Sequence, residues 1–205
     1  MTNKGVTDMQ TVKIYSFNEL SDEAKKVAFN NNSDINVDHW DWYDYTKDDF
    51  HTILELIGFY NIDSYFSGFY SQGDGASFSA DYRYKKGCLK AVKQHAPNDK
   101  ELHNIISGII SHQKDNGYLL SCEVSQRGHY YHSNTMHFSW CKNDDSWFDW
   151  KNDFIEDGLE QLFKHLADWY YSQLKSEYEY LTSFDVVAEM LEANEIQFLE
   201  NGNGV

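Results

Sequence analysis

A glycine-rich turn between two aromatic segments constrains this chain more than any other feature. The turn contains Gly73-Asp74-Gly75 and lies between the segments Ile62 to Phe69 and Ala76 to Tyr84. In the second segment apolar side chains alternate with polar ones, which is the period of a strand with one buried face. Glycine also adopts the positive φ angles that a chain reversal needs. The sequence therefore predicts a β-hairpin whose tip lies near residues 70 to 75.

Apolar side chains at helical spacing predict helices on both sides of this hairpin. Ser21 is placed to cap the first helix, and a second is expected to start near Asp38 and to end at Gly58. Shorter helices follow the hairpin, and Asp99 or its neighbour caps one of them. The longest helix is predicted from Phe154 to about Leu181.

Alternating and β-branched segments predict further strands. They are Thr11 to Phe17, Tyr118 to Ser125, Tyr130 to Trp140 and Ile196 to Leu199. Helices and hairpins are segregated along the chain rather than alternating strictly, which argues against a doubly wound parallel sheet. We therefore expect an α+β fold, with an antiparallel sheet of about five to six strands and helices packed on it. One domain is predicted over residues 11 to 199, with disordered segments at 1 to 10 and 200 to 205.

The charge balance restricts the partners that this chain can have. Lys and Arg number 17 against 33 Asp and Glu, for a formal net charge of −16. Direct binding to a nucleic-acid backbone is disfavoured, because such binding depends on clustered Lys and Arg. An acidic surface favours a basic partner, or it serves only to keep the protein solvated.

Acidic residues concentrate in two places, and each is a candidate binding surface. The first group recurs over about three turns of the predicted second helix, and comprises Asp38, Asp41, Asp44, Asp48 and Asp49. The second group surrounds a tryptophan, and comprises Asp144, Asp145, Trp147 and Asp149. Carboxylates spaced along a rigid surface can imitate the phosphates of a duplex, and aromatic residues among them can anchor a protein interface.

The hairpin tip is the other candidate binding site. Tyr70, Ser71, Gln72 and Asp74 form a polar and aromatic cluster there. A phosphate-binding role is disfavoured, because no Lys-Ser/Thr pair follows the glycines and a strand rather than a helix comes next. Loops held by a rigid hairpin commonly carry recognition residues, so the alternatives are a structural turn and a recognition loop.

Histidines near the second hairpin are weak candidates for a metal site. His129, His132 and His137 need a further ligand, for which Cys122, Glu123 and Cys141 are the neighbours. The competing interpretation is polar residues on a solvated face, and no cofactor is predicted. An odd number of cysteines without a Cys-x-x-Cys pair favours reduced thiols in a cytosol. The polar first ten residues contain no apolar signal core, and no segment is apolar enough to span a membrane.

Several segments resemble a family of small bacteriophage and prophage proteins of uncharacterised function. The most specific is Phe66-Ser67-Gly68-Phe69-Tyr70-Ser71-Gln72-Gly73-Asp74-Gly75-Ala76. Weaker matches are Phe17-x-x-Leu20-Ser21-x-x-Ala24, Tyr82 to Gly87, Ala96-Pro97-x-Asp99 and Glu177 to Ser183. The resemblance covers nearly the whole chain, from about Ile14 to Phe198, and it brings no catalytic residues with it. It implies a phage or mobile-element context, where small acidic proteins often resemble anti-restriction or anti-CRISPR inhibitors.

Charge and resemblance together lead to one expected function. The chain is expected to be a non-enzymatic acidic protein of the host cytoplasm that blocks a host nucleic-acid-handling defence system, with its carboxylates imitating the phosphates of a nucleic acid. Its expected partner is a host protein with a basic nucleic-acid-binding surface, with no direct nucleic acid and no membrane involved. Two alternatives stay open: a small metal-dependent hydrolase that uses the hairpins, and a nucleotide-sequestering module whose aromatic tip stacks a base.

Overall fold

The computed structural model describes residues 12–39, 41–142 and 153–205. Its helices are α1 (Asp22–Asn32), α2 (Asp44–Ile57), α3 (Cys88–His95), α4 (Lys100–Asp115), α5 (Asp153–Leu181) and α6 (Phe184–Ala193). Its strands are β1 (Phe59–Ser67), β2 (Gly75–Arg83), β3 (Leu120–Gln126) and β4 (Met136–Lys142). The α+β class is therefore confirmed. In this described part, no helix is both long and apolar enough to cross a bilayer.

The chain contains two compact units, and the single domain expected over residues 11 to 199 stays a prediction. One unit is the continuous segment Tyr43–Glu177. The other joins the two ends of the chain, Met1–Trp42 and Tyr178–Val205. We call them the central unit and the terminal unit.

The central unit contains an antiparallel sheet in the order β1-β2-β3-β4. Alternate residues of β2 are buried on the face that carries Phe78 and Tyr82, as the period of the sequence predicted. Phe163 of α5 packs on that face, with its ring centroid 4.9 Å from that of Phe59 and 5.0 Å from that of Tyr82. The sheet and α5 therefore share one aromatic core.

Gly58 is the residue that lets α2 turn directly into β1. Its φ of 115° is left-handed, and its N–H donates to the carbonyl of Leu54. A Cβ at this position would lie 2.1 Å from the carbonyl oxygen of Arg83. Both the conformation and the close approach require glycine, so the predicted helix end at Gly58 is confirmed.

The terminal unit has its own small core around α1 and α6, with Phe17, Leu191 and Phe198 buried in it. Ser21 caps α1 by accepting from the backbone N–H of Ala24, as predicted. Tyr15 and Phe198 exchange two backbone hydrogen bonds of 2.9 Å and form a single bridge.

Two predicted strands are wrong, because only isolated bridges form in the described part of these segments. The chain enters a short 3-10 turn at Phe17, so Thr11 to Phe17 does not continue as a strand in its described part. Ile196 to Leu199 contributes only Phe198 to bridges. The described sheet consequently has four strands rather than five or six.

The two ends of the chain were expected to be disordered. Residues 200 to 205 turn back, so that the N–H of Leu199 donates to the carbonyl of Asn203 and the N–H of Val205 donates to the carbonyl of Gln197. Residues 1 to 10 lie outside the described residues.

The predicted start of the second helix at Asp38 is also wrong, because α2 begins at Asp44. Two adjacent aromatic side chains just before α2 pack against different elements. Trp42 packs edge-on against Tyr178 within the terminal unit. Tyr43 packs edge-on against Phe66 of β1, with ring centroids 4.9 Å apart.

The strand predicted over Tyr130 to Trp140 is shorter in the structure. Residues 133 to 135 form a 3-10 turn and β4 starts only at Met136. Residues 127 to 135 are therefore a connection between β3 and β4, and we call this segment the β3–β4 loop.

Candidate functional site

The hairpin tip, residues 68 to 74, is held together by the carboxylate of Asp74. One oxygen of this side chain, Oδ2, accepts from the backbone N–H of Tyr70 at 2.9 Å and of Ser71 at 2.6 Å. The N–H of Asp74 in turn donates to the carbonyl of Ser71. Because charge-assisted hydrogen bonds are stronger than neutral ones, this carboxylate fixes the conformation of the loop.

Helix α5 anchors the same tip from one side. The hydroxyl of Tyr171 donates to the carbonyl of Gly68 at 3.0 Å, and its ring stacks on Phe69 with centroids 5.5 Å apart. The Nζ of Lys175 lies 5.8 Å from the centre of the Tyr70 ring, within the range of a cation–π contact. Burial, with a smaller effect of the Asp74 and Tyr70 charges, raises the pKa of Tyr171. Its hydroxyl therefore keeps the proton that it donates.

The β3–β4 loop is held by hydrogen bonds from the last residue of β3 and by others within the loop. The Nε2 of Gln126 donates to the carbonyls of Gly128 and Tyr130, at 3.3 and 3.0 Å. Both the N–H and the hydroxyl of Thr135 donate to the carbonyl of His132. These contacts fix the backbone that carries Tyr130 and Tyr131.

The tip and the β3–β4 loop meet across two glycines. A Cβ on Gly73 would lie 3.0 Å from the ring of Tyr130, and one on Gly75 would lie 2.5 Å from the Cβ of His132. Gly73 also has a positive φ, of 93°, whereas Gly75 does not. The prediction that both glycines serve chain reversal is thus correct for Gly73 only; Gly75 is needed for close packing.

Three tyrosines remain exposed where the two loops meet. The exposed fractions are 72% for Tyr70, 61% for Tyr130 and 36% for Tyr131. Tyr131 is nevertheless oriented, because it stacks on Tyr65 of β1 with an interplanar angle of 14°. We call Tyr70, Tyr130 and Tyr131 the tyrosine tip. Large, oriented and amphipathic rings at the surface are the residue type that anchors protein interfaces.

Of the residues predicted for this site, Tyr70, Ser71 and Gln72 are exposed at the tip. Asp74 is half-buried and engaged with the backbone of the loop. Tyr130 and Tyr131 were not predicted as site residues. They follow Tyr70 by some sixty positions, and only the pairing of β2 with β3 brings them near the hairpin tip. Two adjacent tyrosines in a polar segment beside Gly128 were the one available indication.

The first acidic group does not lie on one helix. Asp38 and Asp41 are exposed in the terminal unit, before α2 starts. Asp44 and Asp48 lie four residues apart on one face of α2 in the central unit. Asp49 is bound to His95 of α3, whose Nε2 lies 2.6 Å from its Oδ1. The second group, Asp144, Asp145, Trp147 and Asp149, lies outside the described residues.

The three histidines lie in two adjacent elements. His129 and His132 lie in the β3–β4 loop, and His137 lies on β4 opposite Ser125. His132 is therefore outside the strand that was predicted to start at Tyr130, because β4 begins at Met136. Within residues 12–39, 41–142 and 153–205, no three His, Cys, Asp or Glu side chains are grouped to hold a metal ion. Cys88, Cys122 and Cys141 are free thiols, of which the first two are buried.

A polar contact that the sequence did not indicate joins two elements of the central unit. The Nε2 of His51 on α2 lies 2.8 Å from the Oγ of Ser64 on β1. Burial, followed by the charge of Lys47, lowers the pKa of His51. Burial also raises the pKa of Tyr170 on α5 to about 12. Because Ser64 pairs with the buried Phe78, the contact between His51 and Ser64 faces the core and links α2 to β1.

A cleft of about 250 Å³ in the terminal unit is lined by acidic residues of both chain ends. Two of those carboxylates already serve the backbone. Glu19 accepts from the N–H of Ser16 at 2.9 Å, and Glu192 accepts from the N–H of Asn18 at 2.6 Å. Both carboxylates therefore have a structural role: Glu19 closes a local turn, and Glu192 joins α6 to the beginning of the chain.

A family model described as a domain of unknown function, DUF8835, matches residues 42–184 of the chain. The chain belongs to this family. The match contains all of the central unit and therefore the whole tyrosine tip, whereas most of the terminal unit lies outside it. No curated protein and no solved structure matches the chain.

Proposed function

We propose that this chain is a non-enzymatic binding protein that docks on a basic surface of a partner protein through its tyrosine tip. The observation that carries the proposal is the exposure of Tyr70 and Tyr130, whose backbone groups are held by hydrogen bonds. Residues held in this way lose little conformational freedom on binding, so more of the contact energy contributes to affinity. Tyrosine suits such a site, because the ring supplies apolar area and the hydroxyl a hydrogen bond.

The charge of the chain supports a basic partner. At −16 the protein attracts positively charged surfaces over a distance and repels acidic ones, which favours encounter and selectivity more than affinity. Asp44 and Asp48 on the exposed side of α2 belong to the same central unit as the tip. The attraction is expected to weaken as salt concentration rises.

The finer proposal is that the partner is a nucleic-acid-handling protein of a host defence system, and that the acidic chain occupies its nucleic-acid-binding surface. Two observations support it: the acidic surface, and the resemblance of residues 66 to 76 to phage and prophage proteins. A surface built to bind phosphates is the basic surface for which an acidic protein competes best. Inhibition then needs no chemistry by this chain.

The test compares wild-type protein with the double variant Tyr70→Ala, Tyr130→Ala as bait in a nuclease-treated host lysate. The matched control is Tyr180→Ala, since Tyr180 is also 61% exposed but lies in the terminal unit. We expect the tip variant to recover at least about tenfold less of the partner, as for loss of a central interface anchor. The Tyr180 variant should recover as much as wild type.

Two outcomes would count against the proposal at different levels. Equal recovery by the tip variant would exclude the tyrosine tip as the docking site. Recovered partners that include no nucleic-acid-binding protein would overturn the finer proposal and leave the docking role intact. A purified partner should lose binding to its nucleic acid when the wild-type chain is added.

A further inference from the structure

A groove of about 350 Å³ lies between α2 and α5 in the central unit. We propose that this groove binds the guanidinium group of an arginine side chain that a partner protein presents. Its lining includes Tyr45 and Asp49 from α2 and Trp169, Gln173 and Glu177 from α5. This binding site is separate from the tyrosine tip, and it extends the proposed function without depending on it. Its volume lies near the lower end of ligand pockets, which suits one side chain rather than a cofactor.

The aromatic part of the groove is rigid on one side and open on the other. Trp169 is only 5% exposed, and its Nε1–H donates to Oδ2 of Asp99 at 2.9 Å. The other oxygen of Asp99 caps α4 by accepting from the N–H of Leu102. The indole is thus fixed with its donor satisfied. Tyr45 is 91% exposed, so its ring can move onto a cation in the groove.

The polar part of the groove offers acceptors rather than donors. Glu177 is half-buried, and it makes no hydrogen bond or ion pair with any residue that the structure describes. The Oδ1 of Asp49 is engaged by His95, and within the described residues its Oδ2 accepts nothing. Gln173 uses its amide Nε2 as donor to Ser172, which leaves its carbonyl oxygen as an acceptor in the groove.

These features together select a planar cation. The carboxylate of Glu177, the second oxygen of Asp49 and the amide oxygen of Gln173 match the N–H donors of a guanidinium group, which carries no acceptor of its own. Guanidinium also stacks on aromatic rings and is more weakly hydrated than an ammonium group, so it loses less on entering a partly closed groove. An anion would meet two carboxylates, and the lining residues of the groove include no Lys, Arg or His. Arginine is therefore favoured over lysine, and both over a neutral side chain.

The probe for this site is a blocked tripeptide, acetyl-Gly-Arg-Gly-amide, titrated into the isotope-labelled full-length protein. Two matched peptides carry lysine, or the neutral isostere citrulline, in place of arginine. We expect saturable chemical-shift changes at the indole N–H of Trp169 and at the backbone amides of Tyr45 and Gln173. The lysine peptide should bind several-fold more weakly, and the citrulline peptide should cause no saturable change.

Variants separate the groove from general electrostatic attraction. Glu177→Gln and Tyr45→Ala should each weaken binding of the arginine peptide by about tenfold, as expected for one lost charge-assisted or cation–π contact. Glu189→Gln removes the same charge from an exposed position on α6, and it should bind like wild type. Tyr130→Ala should also bind like wild type, because the tyrosine tip is a different site.

Either of two results would overturn the inference. One is a response that never saturates or is as large with the citrulline peptide. The other is an unchanged affinity in both groove variants while their spectra show the native fold. Because the probe is a single arginine and no partner protein is present, failure here leaves the tyrosine tip proposal untouched.

Discussion

The central unit contains two groups of aromatic rings that are similar in chemistry and opposite in exposure. In the core group, Phe50, Phe78 and Phe163 are fully buried, and Phe50 stacks on Tyr170 with centroids 4.2 Å apart. In the tyrosine tip, Tyr130 is 61% exposed, although hydrogen bonds hold the backbone of its loop. Contacts between rings therefore do not by themselves distinguish a structural role from a binding role. Burial makes the core group a source of stability, and exposure makes the tip available to a partner.

The largest effect should come from the core group. Phe50→Ala removes a ring that is 0% exposed and contacts Phe78, Trp169 and Tyr170. We expect the free energy of unfolding to fall by about 3–5 kcal/mol, from the lost transfer energy and the cavity left behind. Urea denaturation of the variant measures this loss. Tyr130→Ala is the comparison at the tip and should change stability by less than about 0.5 kcal/mol.

Similar losses in these two variants would break the comparison. If Tyr130→Ala destabilised the protein as strongly as Phe50→Ala, the tip would be a structural cluster and its exposure would carry no functional meaning. A loss below about 1 kcal/mol for Phe50→Ala would show that the core group relaxes around the deletion.

Gly75→Ala tests whether the tip depends on close packing between the two loops. The added methyl group would lie 2.5 Å from the Cβ and 2.9 Å from the Cα of His132. We expect a loss of about 1–3 kcal/mol from overpacking, with displaced resonances for Tyr130 and Tyr131. Gly204→Ala is the control, since a Cβ there meets nothing within 4 Å. An unchanged β3–β4 loop in Gly75→Ala would show that the loops are not coupled.

The sequence predicted best what is decided locally. The α+β class, the hairpin tip, the Ser21 cap and the end of α2 at Gly58 all depend on residues within a few positions of one another, and all are confirmed. The number of strands was wrong because Tyr15 pairs with Phe198, across nearly the whole chain, and with nothing that would extend the pairing into a strand.

The candidate site was predictable only on one side. Tyr70 and Ser71 were found because a glycine-rich turn is a local pattern. Tyr130, Tyr131 and the partnership of His51 with Ser64 depend on strand register and helix packing, for which the sequence offered no periodic pattern. The start of α2 was misplaced because Tyr43 continues the helical spacing of Phe50 but precedes the helix and packs against Phe66 of β1.

Asp74→Ala tests how much the carboxylate of Asp74 contributes to the order of the hairpin tip. The variant removes the acceptor for the N–H groups of Tyr70 and Ser71. Loss of such a loop cap should cost about 1 kcal/mol, far less than the core deletion. Amide hydrogen exchange should become faster at Tyr70 and Ser71 while the core amides keep their protection. Asp74→Asn keeps an oxygen acceptor and should restore most of the protection; equal exchange in both variants would show that the charge matters rather than the acceptor.

The smallest expected effect lies at the margin of the core group, where His51 contacts the ring of Phe50. Burial holds the pKa of His51 in the folded protein below its value in the unfolded chain. Between the two values the unfolded chain binds more protons, so stability rises with pH through this window and is lost as pH falls below about 6.5. Denaturation midpoints measured across that range should show less of this loss in His51→Gln, whereas Ser64→Ala keeps a titrating imidazole and should retain it. If His51→Gln kept the full wild-type pH dependence, groups other than His51 would control the stability of the protein in this pH range.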